Sequence, residues 1–215
     1  MQTFLITAGP TREAIDPVRF LTNKSSGKMG YALAESAAQA GHRVILISGP
    51  TCLDVPDQVD FVPVESASDM FDAVRRWITK ADIAIFAAAV ADYRPINIAE
   101  QKIKKDSDTL TLDLVKNPDI LGSARSEFGY QGTLVGFAAE TENIESNAFS
   151  KLERKGCDLI VANDVSRRDI GFDSNDNEVL LVYPDHTECP SKDSKHHLAH
   201  QLIDAAISIN ENRMG

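Results

Sequence analysis

Short apolar runs alternate with helix-like segments along most of the chain. The runs that predict strands cover residues 3–8, 42–48, 61–64, 82–90, 133–137 and 158–162. The segments that predict helices cover residues 30–40, 68–80, 143–155 and 195–210. Apolar runs of this length are typical of strands buried in a parallel sheet, and their alternation with helices is typical of α/β proteins.

Local patterns add detail to this prediction. Residues 82–90 form the most apolar run, which predicts the central strand. Ser68 is the expected N-cap of the helix over 68–80. The apolar face of that helix carries Met70, Val74, Trp77 and Ile78.

Two further segments predict strands outside the parallel part of the sheet. Residues 110–115 alternate weakly, which predicts a strand at the sheet edge or outside it. Residues 171–177 are rich in turn formers and lead into 178–183, a predicted strand that pairs antiparallel at the edge. The expected fold is therefore α/β: a Rossmann-like, open and mostly parallel sheet, with helices on both faces and an antiparallel edge. The length suits a single domain over 1–215.

Composition and charge limit the classes of partner. The chain is 43% hydrophobic and 25% charged, as in ordinary soluble globular proteins. Its net charge of −10 argues against a nucleic-acid surface, although local lysines still allow a small anion to bind. Neither a membrane span nor a signal peptide is expected. The wide spacing of Cys52, Cys157 and Cys189 predicts free thiols and a cytoplasmic protein.

The segment from Asn23 to Gly30 joins the first predicted strand region to the first helix. It contains small residues, two hydroxyls, two lysines and an amide, a mixture that favours an anion such as phosphate at a helix N-terminus. A tight turn with a helix cap is the alternative. Met29 follows Lys28, so this is not a Walker A loop, and the first strand lacks the dinucleotide-binding Gly-x-Gly-x-x-Gly. Any phosphate site here is therefore of another kind.

Seven short blocks, several of which follow predicted strands, carry the most specific signal. They are Thr7-Ala-Gly-Pro-Thr-Arg-Glu13, Asn23-Lys-Ser-Ser-Gly-Lys-Met-Gly30, Ala87-Ala-Ala-Val-Ala-Asp-Tyr-Arg94, Lys102-Ile-Lys-Lys105, Lys116-Asn-Pro-Asp-Ile120, Gly136-Phe-Ala-Ala-Glu-Thr141 and Ala162-Asn-Asp-Val165. In order and spacing they resemble the bacterial phosphopantothenate–cysteine ligase family. In many bacteria this ligase is one half of a bifunctional coenzyme A biosynthesis protein, whose other half is a flavin-dependent decarboxylase.

The resemblance implies a reaction and a set of partners. The carboxylate of 4′-phosphopantothenate attacks the α-phosphorus of CTP, which gives an acyl-cytidylate and pyrophosphate. L-Cysteine then displaces CMP and forms the amide. Mg²⁺ is expected to arrive with the triphosphate. A homodimer is expected, together with a separate or fused phosphopantothenoylcysteine decarboxylase.

Two residues match catalytic positions of the family. Lys102 matches the catalytic lysine, whose charge offsets the negative charge that develops at the α-phosphorus. Lys104 and Lys105 are expected to assist on the same flap. Asn23 matches the active-site asparagine, whose amide can hold a carboxylate and later an acyl carbonyl. The plainer alternatives are a solvated charge run for the lysines and a turn or cap for Asn23.

Other residues match the nucleotide site or suit phosphate. The nucleotide set is Asp92, Asn117, Pro118, Asp119, Ile120, Phe137, Lys151 and Lys155, and the phosphate set is Ser25, Ser26 and Gly27. Each has a structural alternative: a cap for Asp92, core packing for Phe137 and a solvated helix face for the lysine pair. No His or Cys group has metal-ligand spacing, so no protein-held metal is expected. An NAD(P)-dependent reductase and a non-catalytic nucleotide sensor remain as other classes of function.

Overall fold

The computed structural model describes residues 1–105, 108–164, 176–191 and 193–214. Eight strands form the main sheet: β1 (Thr3–Ala8), β4 (Arg43–Ser48), β5 (Val59–Pro63), β6 (Ile83–Phe86), β9 (Thr133–Glu140), β10 (Leu159–Asp164), β12 (Val179–Val182) and β13 (Thr187–Glu188). Short two-stranded ribbons are formed by β2 (Arg12–Ala14) with β3 (Phe20–Thr22), β7 (Tyr93–Pro95) with β8 (Leu114–Lys116), and β11 (Asp176–Asn177) with β14 (Asp193–Ser194). The α-helices are α1 (Lys28–Gln39), α2 (Ala67–Trp77), α3 (Ile120–Ser126), α4 (Ile144–Lys155) and α5 (Lys195–Met214).

The order of the sheet confirms the predicted fold class. Across the sheet the strands run β13-β12-β10-β9-β6-β1-β4-β5, and the six from β10 to β5 are parallel. On one side of β1 the sheet continues through β4 to β5. The chain then returns to form β6 on the other side of β1, followed by β9 and β10. This is the doubly wound order, in which ligands bind where the two halves diverge, beyond the carboxyl ends of the strands. β12 pairs antiparallel with β10, as predicted for 178–183.

Alternate residues of the central strands pack against opposite layers of helices. Phe4 and Ile6 face a cluster that includes residues of α1 and α5. Leu5 faces the opposite cluster, which includes residues of α2, α3 and α4. Both faces of the sheet are therefore covered, which explains why the parallel strands are continuously apolar. None of the helices in the described ranges is long and apolar enough to cross a membrane.

Five local predictions need correction or limits. The N-cap of α2 is Ser66, not Ser68, because Ser66 and Asp69 form a reciprocal capping box. After α2 the chain makes only one 3₁₀ turn over Ile78–Lys80. The strand predicted over 82–90 spans only Ile83–Phe86, and the strand predicted over 110–115 is Leu114–Lys116, outside the main sheet. Residues 171–175 of the turn-rich stretch lie outside the described residues.

The three cysteines differ sharply in accessibility, which gives a direct test of the core. Burial raises the pKa of Cys157 to about 12, whereas Cys52 and Cys189 are exposed. We expect the native protein to react with two equivalents of a thiol reagent at pH 8 and with a third only after unfolding. Mass spectrometry of the labelled peptides checks this result. Rapid native labelling of Cys157 would contradict the packing.

Candidate active site

A cavity of about 610 Å³ opens at the carboxyl edge of the sheet, beside the ends of β6 and β9. Its volume lies within the range of small-molecule sites. Its lining includes all eight residues of the predicted nucleotide set: Asp92, Asn117, Pro118, Asp119, Ile120, Phe137, Lys151 and Lys155. These residues come from four separate parts of the chain. The fold therefore gathers them at the edge where doubly wound proteins bind ligands.

Asp119 organises one wall of the cavity. It is the N-cap of α3, and its Oδ1 accepts a hydrogen bond from the Gly122 N–H at 2.9 Å. Its Oδ2 pairs with the Nζ of Lys155, whose side chain is only 11% exposed. Burial opposes ionisation of Asp119, but the bonds from Lys155 and Gly122 outweigh it and lower the pKa. The wall thus carries a fixed carboxylate and a cation that it partly neutralises.

Asn117 fastens the start of α3 to the loop that follows β6. Its side-chain N–H donates to the Ala91 carbonyl at 2.8 Å, and its backbone N–H donates to the Asp92 carbonyl at 2.8 Å. Its Oδ1 accepts from Arg94 at 3.0 Å. Both polar atoms of the Asn117 side chain therefore have a partner within the protein. Its contribution to the cavity is to hold Asp92 and Ala91 in place.

Lys151 and Lys155 lie one turn apart on α4 and both line the cavity. The Nζ of Lys151 donates to the carbonyl of Phe137 at 2.7 Å. Burial lowers the pKa of Lys151, and the nearby charge of Glu140 acts in the opposite direction. Arg154 also lines the cavity, so three cations of α4 face the same space. This cationic wall suits an anionic ligand such as a phosphate.

Asn23 lies against the loop that forms the rim of this cavity. Its side-chain N–H group donates to the carbonyls of Ala89 and Val90, each at 3.1 Å. Val90 itself lines the cavity. The amide nitrogen of Asn23 therefore holds the loop after β6. The same two bonds fix the orientation of the amide group, and with it the position of Oδ1.

The predicted phosphate set does not line the cavity. Gly27 is the buried N-cap of α1, and its φ of +80° favours glycine. A Cβ at this position would lie 2.7 Å from the Cγ2 of Thr51 and 3.3 Å from the Cα of Gly9. Ser25 and Ser26 are half-buried beside it, and the Ser25 hydroxyl accepts from the Gly27 N–H at 3.3 Å. This loop lies beyond the carboxyl ends of β1 and β4, beside Gly9 and Thr51.

Lys102 is exposed and lies outside the cavity lining. Its side chain makes no hydrogen bond or ion pair with any described residue. The neighbouring Ile103 is fastened instead, through its backbone, to Asp16 and Arg19. The structure therefore brings eight of the predicted residues together, sets Asn23 at their rim, and leaves Lys102 and the Ser25–Gly27 loop on separate segments.

Two arginines of this site were absent from the predicted set. Arg154 lines the cavity, and its position beside Lys155 and three residues after Lys151 is the signal that could have shown this. Arg94 orients Asn117 and also donates to the Lys116 carbonyl at 3.0 Å. Nothing in the sequence pattern predicts that contact, because it joins two strands of a ribbon. Within the described ranges, no three His, Cys, Asp or Glu side chains cluster as metal ligands do.

Several known proteins are similar to this chain in sequence. Residues 1–209 match a family model described as the C-terminal domain of DNA/pantothenate metabolism flavoprotein. The chain is 51% identical over 204 residues to the coenzyme A biosynthesis bifunctional protein CoaBC of Vibrio vulnificus. The match covers 94% of this chain and 51% of that protein. It is 53% identical over 182 residues to the CoaBC protein of Bacillus subtilis, covering 84% of the chain and 45% of that protein. The chain thus spans about half the length of these curated relatives.

Solved structures show the same fold. The C-terminal domain of a CoaBC protein superposes with a TM-score of 0.84 at 40% identity, covering 98% of this chain and 96% of that one. The DNA/pantothenate metabolism flavoprotein of Streptococcus pneumoniae superposes with a TM-score of 0.84 at 23% identity, covering 97% of this chain and 99% of that one. A Cab2 mutant in complex with phosphopantothenate-cysteine superposes with a TM-score of 0.77 at 19% identity, covering 98% of this chain and 87% of that one. The last two similarities concern the fold alone.

Proposed function

Since the chain belongs to the family of DNA/pantothenate metabolism flavoprotein C-terminal domains, we propose that it ligates 4′-phosphopantothenate to L-cysteine at the expense of CTP. The observation that carries the proposal is the cavity at the carboxyl edge of the sheet. It gathers all eight residues that match the nucleotide site of phosphopantothenate–cysteine ligases. The similarity to CoaBC proteins, at 51% and 53% sequence identity, supports the same activity.

The proposed reaction has two steps. A carboxylate oxygen of 4′-phosphopantothenate forms a bond to the α-phosphorus of CTP, and the bond to pyrophosphate breaks. The cysteine amine, which loses a proton, then attacks the acyl carbon, and the bond to CMP breaks. In the first step an anion approaches a triphosphate, so cations fixed in advance are needed to stabilise the developing charge. Mg²⁺ is proposed to arrive with the triphosphate, as part of the nucleotide substrate.

The contacts of the cavity suggest a division of roles. Lys151, Arg154 and Lys155 are proposed to supply the positive charge for the triphosphate. The ring of Phe137 packs against the core cluster that includes residues of α1 and α5, as in the core-packing alternative, so Phe137 is proposed to contribute its backbone carbonyl, which Lys151 contacts. The exposed carboxylate of Asp92 is proposed to accept from the ribose hydroxyls. Asn23 is proposed to hold the carboxylate and then the acyl carbonyl. Ser25, Ser26 and Gly27 are proposed to receive a phosphate group, and Lys102 to stabilise the first transition state.

The relatives suggest a further partner. They are bifunctional proteins of about twice the matched length. A phosphopantothenoylcysteine decarboxylase, either fused to this domain or separate, is therefore proposed as the enzyme that uses its product. The free thiols suit a reducing compartment, and the proposed location is the cytoplasm.

Nucleotide choice tests the proposal directly. We expect CTP to support pyrophosphate release, in the presence of phosphopantothenate and cysteine, with a kcat/KM at least about a hundredfold above that of ATP. A site that bonds the cytosine edge leaves its polar groups unpaired when adenine enters. Reactions without phosphopantothenate give the background hydrolysis. Equal values of kcat/KM for CTP and ATP, or no release with either, would contradict the proposal.

A homodimer is also proposed, and exposed apolar side chains support it. The β2–β3 and β7–β8 ribbons pack side by side outside the main sheet. We define the ribbon surface by the apolar residues that these ribbons and their flanking segments expose: Val18, Phe20, Tyr93, Ile96, Ile98, Leu110, Leu114 and Val115. Apolar groups exposed together in this way are typical of interaction surfaces. In a twofold dimer the same surface of each copy forms the contact, so a second copy of this chain is the proposed partner.

Replacement of one residue of the ribbon surface tests the dimer. Ile98 is 62% exposed, so Ile98→Glu places a charge on the surface without disturbing the core. We expect wild-type protein to have the mass of two chains in light scattering and Ile98→Glu to shift toward one chain. Val55→Glu, at an exposed apolar position outside the ribbon surface, serves as the matched control. A fully active wild-type monomer at assay concentration would contradict the proposal.

A further inference from the structure

The carboxylate of Asp16 connects a turn near the start of the chain to the segment that carries Lys102. Asp16 is 3% exposed, and its carboxyl group is fully buried. Its Oδ1 accepts from the backbone N–H groups of Val18 and Arg19, both at 2.9 Å. Its Oδ2 accepts from the Nε of Arg19 at 2.9 Å and from the Ile103 N–H at 3.1 Å. The two oxygens therefore have separate tasks: Oδ1 forms the turn, and Oδ2 reaches the Lys102 segment, defined here as residues 99–105.

The Lys102 segment is fastened on both sides of its midpoint. The Ile103 carbonyl accepts from the Nη2 of Arg19 at 2.9 Å, so both backbone polar groups of Ile103 are bonded to the Asp16–Arg19 pair. Nearer the start of the segment, the Ala99 N–H donates to the Ile15 carbonyl at 3.0 Å. Lys102 lies between these attachments and directly precedes Ile103, which makes two of the three bonds. Its backbone is therefore fixed while its side chain stays exposed.

Arg19 also fixes the charge of Asp16. Its hydrogen bonds hold the pKa of the Asp16 carboxyl well below the usual range, although burial acts in the opposite direction. Asp16 is therefore ionised at any pH used for assay. Hydrogen bonds that an ionised group accepts are shorter and about twice as strong as neutral ones. A charged, oriented acceptor of this kind is suited to holding a backbone N–H at a set position.

We propose that Asp16 is a positioning residue for Lys102: oriented by Arg19, it holds Ile103 and thereby sets where the Lys102 ammonium group meets the reacting phosphate. The inference rests on the proposed ligase function. A charge that stabilises a transition state must be held within a fraction of an ångström, because misplacement by about 1 Å can cost a hundredfold in rate. The bonds at Ile103 fix the backbone from which the exposed Lys102 side chain extends, and so limit where its ammonium group can reach.

Asp16→Asn separates the two tasks of the carboxylate. An asparagine whose Oδ1 still faces the N–H groups of Val18 and Arg19 preserves the turn. Its NH₂ group then faces the Ile103 N–H and the Arg19 guanidinium, and donors that face each other cannot form a hydrogen bond. We expect hydrogen exchange at Ile103 to become at least about tenfold faster, since the lost bond involved a charged group. Unchanged exchange at Ile103 in a folded Asp16→Asn variant would overturn the proposal.

Activity in two backgrounds provides the second readout. Single-turnover formation of the acyl-cytidylate should fall on the order of tenfold to a hundredfold in Asp16→Asn, with CTP affinity changed far less. In a Lys102→Gln background the same substitution should cause little further loss, because there is no ammonium group left to position. An equal fold-loss in both backgrounds would show that Asp16 acts independently of Lys102 and would overturn the proposal.

Asp158 provides the matched control. It too is an aspartate paired with an arginine, Arg125, and it accepts from the Leu134 N–H at 2.8 Å, far along the chain from the Lys102 segment. Asp158→Asn should lower the melting temperature while leaving Ile103 exchange and the single-turnover rate at wild-type values. A wild-type protein that forms no acyl-cytidylate would contradict the proposed function, whereas Ile103 exchange would still decide whether Asp16 holds the segment.

Discussion

Lys102→Gln is expected to slow acyl-cytidylate formation by roughly a hundredfold or more, equivalent to about 3 kcal/mol of transition-state stabilisation. Glutamine keeps much of the length and polarity of the side chain but removes its charge. Lys102 does not line the cavity that gathers the nucleotide set. CTP affinity should therefore fall much less than the rate, because the charge matters most as the transition state develops.

Lys104→Gln is the matched control for this prediction. Lys104 is exposed on the same segment, and its replacement removes the same charge from the net total. A general electrostatic effect would slow both variants alike, whereas a specific role predicts a much smaller loss for Lys104→Gln. Calorimetry with CTP, combined with rapid-quench measurement of pyrophosphate, gives both quantities. Near-normal turnover in Lys102→Gln would remove Lys102 from the mechanism.

Asn23→Asp should impair the steps that involve phosphopantothenate, on the order of a hundredfold, while CTP affinity stays nearly unchanged. An aspartate cannot donate to the Ala89 and Val90 carbonyls, which Asn23 contacts at 3.1 Å each. It would instead set a negative charge against these two oxygens and against the anionic substrate. Single-turnover formation and decay of the acyl-cytidylate, measured beside CTP binding, check the prediction.

Asn23→Ala separates the lost hydrogen bonds from the added charge. It removes the same two bonds but introduces no repulsion, so its defect should be the milder of the two. If Asn23→Asp lost CTP binding but retained the chemistry, the proposed role of Asn23 would be wrong. If alanine and aspartate were equally harmful, the hydrogen bonds alone would account for the effect.

The sequence predicted the layers of this fold better than it predicted local boundaries. Apolar strands such as β1 and β4 are long enough, and bordered clearly enough, to be located within a residue or two. Residues 87–90 are equally apolar, yet β6 ends at Phe86. There the chain turns toward the loop after β1, where the Ala89 N–H donates to the Gly9 carbonyl at 2.9 Å. Composition cannot distinguish a strand from a closely packed apolar loop of this kind.

The candidate site also has parts that the sequence could predict and parts that it could not. The resemblance in the short blocks predicted the nucleotide set, and the structure gathers these residues around one cavity, whereas their binding of a nucleotide stays a prediction. The attachments between blocks could not be predicted. The bond from Asp16 to Ile103 joins positions 87 residues apart, and that from Asn23 to Val90 joins positions 67 apart. Such contacts depend on the path of connecting loops, for which the sequence has no periodic signal.

Both outer strands of the sheet are poor templates for another strand. β13 has only two residues and includes Glu188, whereas β5 ends in Pro63, which has no N–H to donate. In β5, Asp60 pairs with Arg43 of the neighbouring strand at 2.9 Å, which keeps two charges at that border. Short, charged and proline-terminated borders discourage edge-to-edge pairing and aggregation. The proposed dimer is therefore expected to form through side chains of the ribbon surface, and not by extending one sheet into a continuous one.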